Sequence, residues 1–358
     1  MTRFRWVQCQ LDEIAKLKQI KTIRKALSNL PSGLDKTYEM ILTRVPQGNF
    51  DVVYRSLLWL SFNVIPLSLE ELIEAIAIEE DMPNIDEDAL LSSSQDLLDM
   101  CGSLIIVSES RNHVTLAHLS VKDYLLSTSI RNSDAQRFAL SPESANKALA
   151  LNCLTYLSYS GFRTGPAKIQ EGWQERVEDY PLMKYTTVCW PYHARAAEQP
   201  EDLNSRILNF FKDFSGRLFM SWVQNLHVPK WHVYPPHAHP LYYAASFGLD
   251  KTVQVLVEQG AALNAPGSRF GGTALHAAVL RQHTTTMKIL LDAGADPNKS
   301  DFNDVSPLDS AVSYGNKEVI QMLVEYGASD EVYGTTPCDW AVEPGQANIQ
   351  ALMLKEWQ

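Results

Sequence analysis

This 358-residue sequence predicts a mainly α-helical protein that ends in a solenoid of short repeats. Three observations carry that prediction. Near the C-terminus, segments align without gaps at starts 34 and then 33 residues apart. In the N-terminal half, apolar residues recur at helical spacing. The β-type runs, SLIIVSES and HVTLAHLS, are short and flank a polar turn at Arg111-Asn112.

Taken in order, residues 10–45 read as helices, with Leu11, Ile14, Leu17, Ile23, Leu27, Leu34, Tyr38, Ile41 and Leu42 on apolar faces and a break at 29–33. DVVYRSLLWLSF follows as another amphipathic helix. Ser68 and Glu71 form a capping-box pattern for LEELIEAIAI, because the hydroxyl and the carboxylate can each satisfy an orphan N–H. After the two β-type runs, Ser120 and Asp123 form a second such pattern, opening VKDYLL. Helix, helix, hairpin, helix is the layout of a winged helix. Residues 142–230 are rich in aromatics, among them Tyr156, Tyr159, Phe162, Trp173, Trp190, Tyr192, Phe210, Phe211, Phe214 and Trp222, and residues 136–236 read as a packed helical connector.

The repeat begins at Pro240, Ala274 and Pro307, with a fourth copy at Pro337. Leu241, Leu275 and Leu308 share one column, with Cys338 in the last copy. Ala244, Ala278, Ala311 and Ala341 share another, where a small side chain lets two helices approach. Leu256, Leu290, Leu323 and Met353 recur on the apolar face of a second helix. Gly260, Gly294 and Gly327 follow, where a left-handed residue ends a helix. Ser306-Pro307 and Thr336-Pro337 supply an N-cap and a preset φ. This pattern resembles the ankyrin repeat. The predicted fold is therefore mainly α, a winged-helix domain plus helical connector followed by an ankyrin-repeat solenoid. The divisions are 1–45, 46–135, 136–236 and 237–358, with about four repeats, the first and last divergent.

FRWVQCQLDEI, ALSNLPSGLDKTYEMIL, LLWLSFNVIPLSLEELIEAIAI, DMCGSLIIV and VTLAHLSVKDYLLS resemble fungal NACHT-ankyrin proteins, which are STAND-type (NLR-like) signalling ATPases. WPYHARAAE at Trp190 resembles the connector those proteins place before their repeats. The resemblance implies that residues 1–45 are the helical end of a nucleotide-binding module. It would make His118 a nucleotide contact. However, the family's P-loop and Walker B acid precede the FRW-type motif, and no GxxxxGK[ST] occurs here. Without the rest of the pocket that role is empty, and no catalytic, cofactor-binding or metal residue is carried over.

Composition narrows the function. Net charge is −11, and residues 56–110 hold twelve Asp or Glu and no Lys or Arg. Such a surface repels phosphate, so DNA binding through the winged helix is the weaker alternative. No window approaches a membrane span or signal peptide. Five dispersed cysteines without a CxxC pair suit a reducing, intracellular compartment, cytoplasmic with the nucleus left open. Asn298-Lys299-Ser300 is then a chance sequon.

Several constellations resolve locally. His227, His232, His237 and His239 could suggest a metal, but nearby Cys, Asp or Glu at zinc-like spacing are missing. His239 instead falls in the Thr-Pro-Leu slot of copy one, as an N-cap or turn residue. His276 is expected to bond from turn to turn. Gly267–Thr273 half-matches a phosphate loop but lacks its lysine. Ser120, His118 and Asp123 lack the GxSxG of a nucleophile elbow. Cys101, ahead of an apolar strand, reads as a buried thiol rather than a partner of His118.

The expected function is non-catalytic scaffolding. A partner protein would be held by the turn tips, Arg269, Phe270, Phe302, Asn303, Val305, Val332 and Tyr333, and by first-helix positions Ser246, Phe247, Leu280, Arg281, Ser313 and Tyr314. Exposed aromatics and Arg are what interface hot spots are made of. The other reading has Phe247 and Phe270 packing on the connector. The alternative function is the sensor and transducer part of a longer ATP-switched STAND protein. No nucleic acid, membrane, metal or cofactor is expected.

Overall fold

The computed structural model describes residues 19–21, 33–80, 82–108, 112–212, 217–227, 232, 234–235 and 238–329. Most of the 1–45 segment, Phe214, His237, the fourth repeat, Val332 and Tyr333 lie outside the described residues. The chain forms two compact units: residues up to 156 with 180–185, and residues 157–179 with 186 onward.

In the first unit, helix α1 (Leu34–Thr43) buries Thr37, Tyr38, Ile41 and Leu42. The unit's centre is α2 (Phe50–Phe62), whose Val53, Leu57, Leu58, Trp59 and Leu60 are buried. Around it pack α3 (Leu69–Ile76), α4 (Ser94–Cys101) and the second strand of the hairpin β1 (Ile105–Ser108) and β2 (His113–Leu116). The strands pair antiparallel, Ile105 opposite Leu116, and Asn112 turns between them at φ +50°. A bridge from Leu67 to Val114 adds a third edge, completing the wing. Helices α5 (Leu119–Leu126), α6 (Thr128–Arg131) and α7 (Pro142–Tyr156) follow. This is the winged helix, and α7 packs on α2 as part of the same unit, beyond the residue-135 limit.

Local chemistry explains these elements. The Ser68–Glu71 capping box forms, with Glu71 N–H on Ser68 Oγ at 3.1 Å and Ser68 N–H on Glu71 Oε2 at 2.7 Å. Arg55 reaches the far end of α3 and donates to the carbonyls of Ile76 and Ile78 at 2.9 and 2.8 Å. Glu74 is half-buried and accepts from Tyr156 Oη and Leu182 N–H, both at 2.8 Å. Burial pushes its carboxyl up to about 6, against the pull of those two donors. Two expectations are corrected. Helix α4 was not foreseen, although Ser93 and Asp96 give it a capping box. Ser120 does not cap α5: His118 does, its Nδ1 accepting Ser120 N–H at 3.1 Å. Helix α5 begins one residue before Ser120, which moves the cap to the ring.

The second unit starts with α8 (Ser160–Arg163) and α9 (Gln170–Asp179). Then come α10 (Met183–Ala196), whose first turn belongs to the first unit, α11 (Glu201–Lys212) and α12 (Arg217–Leu226). The connector aromatics do pack. The Trp222 ring lies 5.4–6.1 Å from Trp190, Phe210, Phe211, Phe219, Tyr243 and Phe247. Three helix pairs follow: α13 (Pro240–Phe247) with α14 (Asp250–Glu258), α15 (Ala274–Leu280) with α16 (Thr284–Asp292), and α17 (Pro307–Tyr314) with α18 (Lys317–Glu325). This is the ankyrin solenoid. Gly260, Gly294 and Gly327 take φ +80°, +91° and +89° as C′ residues. At each, the next N–H bonds to the carbonyl five residues back, as in Ala261 N–H to Leu256 O at 3.0 Å, closing a Schellman motif. Thr273 and Ser306 cap α15 and α17, whereas His239 caps α13 without a side-chain bond from the helix.

Pro191 sits inside α10. It has no N–H, so the Thr187 carbonyl loses its intrahelical partner. The buried Trp222 indole N–H fills that place at 3.0 Å. Trp222→Phe should therefore cost about 1–3 kcal/mol for the orphaned carbonyl, beyond lost packing. In a Pro191→Ala background, where residue 191 regains its N–H, the same change should cost measurably less. Urea denaturation of the four chains measures this, and an equal cost in both backgrounds would refute the pairing.

Candidate protein-binding surface

The β-turn tips of copies two and three are built by short polar side chains. In copy two, Ser268 Oγ accepts the N–H of Gly272 at 2.9 Å and of Phe270 at 3.2 Å. Gly267 N–H closes the turn on Gly272 O at 2.9 Å, and Gly271 sits at φ +82°. In copy three, Asp301 Oδ1 accepts from Asn303 and Val305 N–H at 2.8 and 3.1 Å. The tips join directly, Phe302 N–H donating to Phe270 O at 2.8 Å. His276 joins them a second time. Its Nδ1 lies 3.1 Å from Thr273 N and 2.9 Å from Thr273 Oγ1, so it acts as acceptor there. Its Nε2–H then donates to Val305 O at 3.0 Å. That is the turn-to-turn role expected of it, and burial holds its pKa below the ordinary histidine value.

On this frame the candidate side chains separate. Phe270, Phe302 and Tyr314 are 50%, 72% and 44% exposed, and Val305 is also exposed. The Arg269 guanidinium lies over the Phe270 ring at 4.4 Å. Asn303 and Ser313 are exposed, while Ser246, Leu280 and Arg281 are half-buried. Phe247 instead faces the connector, with ring centroids 6.3 Å from Tyr192 and 6.1 Å from Trp222. So of the two aromatics with competing readings, Phe247 packs inward and Phe270 does not.

Sequence reasoning missed what seats these groups. Phe302 lies on Gly271, where an added Cβ would come 2.5 Å from its ring. Tyr242 lies on Gly267, where an added Cβ would come 2.1 Å from the Tyr242 Cβ. The Ser-x-x-x-Gly and Asp-x-Asn spacings of the two tips were the available signals. Two groups off the repeat's own turns also border the surface. Arg195, on α10, lies with Nη1 3.4 Å from His283 Nδ1, and His283 Nε2 donates to Ser246 O at 3.2 Å.

The remaining constellations find local partners. Gly267–Thr273 spends its N–H groups on its own turn. Ser120 Oγ lies 2.7 Å from His118 Nδ1 and 2.8 Å from Tyr38 Oη, in a bridge from α5 to α1. Burial pushes the Cys101 thiol up to about 12. Among the described residues, no group of three or more His, Cys, Asp or Glu is placed to hold a metal, and no helix is long and apolar enough to cross a membrane.

Comparison with known proteins agrees with this architecture. Residues 44–141 match the family described as GPI inositol-deacylase, winged helix domain. Residues 221–301 and 281–324 match two ankyrin-repeat families. The chain is 28% identical over 294 residues to the azaphilone pigments biosynthesis cluster protein L of Monascus ruber, covering 75% of this chain and 61% of that protein. It is 32% identical over 123 residues to the ankyrin repeat protein FPV031 of fowlpox virus (strain NVSL), covering 32% of this chain and 36% of that one. It is 33% identical over 96 residues to mouse (Mus musculus) Rabankyrin-5, covering 26% and 8%. The chain thus spans about three fifths of the Monascus protein and less of the others.

Two outcomes follow. Gly271→Ala should displace Phe302, at about 1–2 kcal/mol for the left-handed backbone alone. Amide exchange at Phe302 should accelerate, and unchanged protection there would contradict the seating. The second concerns pH. Burial holds His193 at about 4, and burial with the Arg195 charge holds His283 at about 4. Both lie below the unfolded value, so the unfolded chain takes protons that the folded chain refuses. The stability of the neutral rings is full above pH 6.5 and is lost as pH falls towards 4, at up to about 1.4 kcal/mol per pH unit per group. Glu74 has the opposite sign: its contribution is present below 4.5 and lost as pH rises through 6. Amide exchange should therefore show α10 and α16 weakening between pH 6.5 and 4.5 while α3 does not. Equal weakening of all three would refute the assignment.

Proposed function

We propose that this chain is a non-catalytic scaffold that holds a partner protein on the surface of ankyrin copies two and three. The observation that carries the reading is the pair of joined turn tips presenting Phe270 and Phe302. Rigid aromatic anchors lose little entropy on binding, which is what an interface hot spot requires. Ankyrin repeats imply a protein partner, and the fowlpox virus relative is named for such repeats. Around the winged helix, Glu79, Glu80, Asp86, Glu87 and Asp88 are all exposed, which favours a protein over DNA as partner. The described cysteines Cys101, Cys153 and Cys189 are buried, and the proposed setting is the reducing cytoplasm.

A second reading is favoured by the winged helix ahead of ankyrin repeats. It makes the chain the transducer and sensor part of a longer ATP-switched protein. An antibody against the repeats separates the two in source-cell extract. A band near 40.2 kDa supports the scaffold, and a much larger band supports the switch.

For the surface itself, Phe302→Ala with Tyr314→Ala should weaken capture of the partner that the wild-type chain retains, by roughly tenfold or more for two hot-spot positions. The circular dichroism spectrum should stay unchanged, since both side chains are exposed. Undiminished capture with a normal spectrum would sink the proposal.

A further inference from the structure

The chain carries a net charge of −11, yet the binding face is edged by arginines. Arg195 is exposed on α10, Arg281 is half-buried at the end of α15, and Arg269 is exposed on the tip of copy two. They belong to one connected strip. Arg195 touches His283 at 3.4 Å. The Arg281 charge is felt at His283, Tyr192 and Tyr242. Tyr242 lies on Gly267, next in the turn to Ser268 and Arg269, and Arg269 covers Phe270.

None of the three arginines has a carboxylate within ion-pair distance among the described residues. Three acids of these repeats accept hydrogen bonds from groups within the repeats. Asp250 accepts from Thr286 Oγ1, Asp301 from the N–H groups of its own turn, and Asp309 from Ser306 at 2.7 Å. The partners that orient the arginines are neutral. Arg269 lies over an aromatic ring, and Arg195 meets an imidazole whose Nε2–H is given to Ser246 O. Such partners hold a guanidinium in place without cancelling its charge, leaving its fork of donors free for a carboxylate.

We propose that this face takes an extended acidic segment of the partner protein, its carboxylates on Arg195, Arg281 and Arg269 and an apolar side chain among Phe270, Phe302 and Tyr314. The proposal rests on the scaffold reading and names the chemistry of what the scaffold holds. The contact is short-range, because the chain's overall negative charge repels a polyanion that lacks the apolar anchor.

The test uses the full chain and fluorescence anisotropy of labelled peptides. One is rich in Glu with a central Phe, one replaces Glu by Lys, and one keeps Glu but replaces Phe by Gly. A single-stranded oligonucleotide of equal charge is the fourth probe. The Glu–Phe peptide should bind, with affinity falling steeply as salt rises, and the other three should bind at least tenfold more weakly. Arg195→Gln with Arg269→Gln and Arg281→Gln should cost tenfold or more. Arg281→Gln alone, a milder change, should cost a smaller factor in the same direction. Equal binding of the Lys peptide, tighter binding of the oligonucleotide, or undiminished binding by the arginine variants overturns the proposal. Capture of the native partner separates the two claims. Loss with Phe302→Ala/Tyr314→Ala but not with the arginine variant leaves the surface standing and removes the acidic ligand. Loss with neither removes both.

Discussion

The second unit depends on one hydrogen bond that a proline makes necessary. Pro191 interrupts the ladder of α10 and strands the Thr187 carbonyl in the interior. An unpaired buried carbonyl costs on the order of 1–3 kcal/mol. The indole N–H of Trp222 meets it, and to do so Trp222 must lie against α10. That placement brings its ring against Phe210, Phe211 and Phe219 of the connector and against Tyr243 and Phe247 of the first repeat. The start of the solenoid is thereby built on the connector rather than left as an exposed apolar face. Gln199 and Asn204 reinforce the joint. Gln199 Oε1 accepts Thr252 N–H at 3.1 Å, and Asn204 Oδ1 accepts the Thr252 hydroxyl at 2.7 Å.

From that base each repeat is tied to the next by a few recurrent side chains, as a one-dimensional stack requires. His283 reaches back to Ser246 O, and Thr286 to Asp250. Asn264 accepts Asp296 N–H and Asn298 accepts Ser329 N–H, both at 2.9 Å, from the same column of the repeat. Copy two departs from its neighbours at Gln282, which is left-handed at φ +57° where copies one and three place Gly248 and Gly315. Its amide oxygen accepts from Asn316 at 2.9 Å, so the strained residue also forms an inter-repeat contact.

The charge of the molecule is divided in a way that suits recognition rather than phosphate chemistry. Exposed acids crowd the winged helix, and arginines with no carboxylate at ion-pair distance among the described residues edge the repeat tips. The winged helix keeps its hairpin, but the helix before it ends in Cys101, a buried thiol pushed towards protonation, and Ser120 bonds to both His118 and Tyr38.

By itself the sequence determined whatever depends on neighbours along the chain. The repeat period, the C′ glycines, the Ser68 and Ser306 caps, the hairpin turn at Asn112 and the His276 bridge were legible, because each rests on residues within one turn or one repeat length. The cap of α5 was misread for the same reason: a serine pattern and a histidine two residues earlier compete, and only the actual start of the helix selects between them. The tertiary structure decided what depends on separation in space. Phe247 turns inward and Phe302 outward, although both are aromatic residues of one repeat family, because Tyr192 and Trp222 meet the first, whereas the second lies over Gly271 and stays exposed. The arginine strip was equally hidden, since Arg195 meets His283 across 88 residues of chain. Distance along the sequence carries no information about which long-range packing partner arrives, and that arrival is what assigns each aromatic to core or to surface.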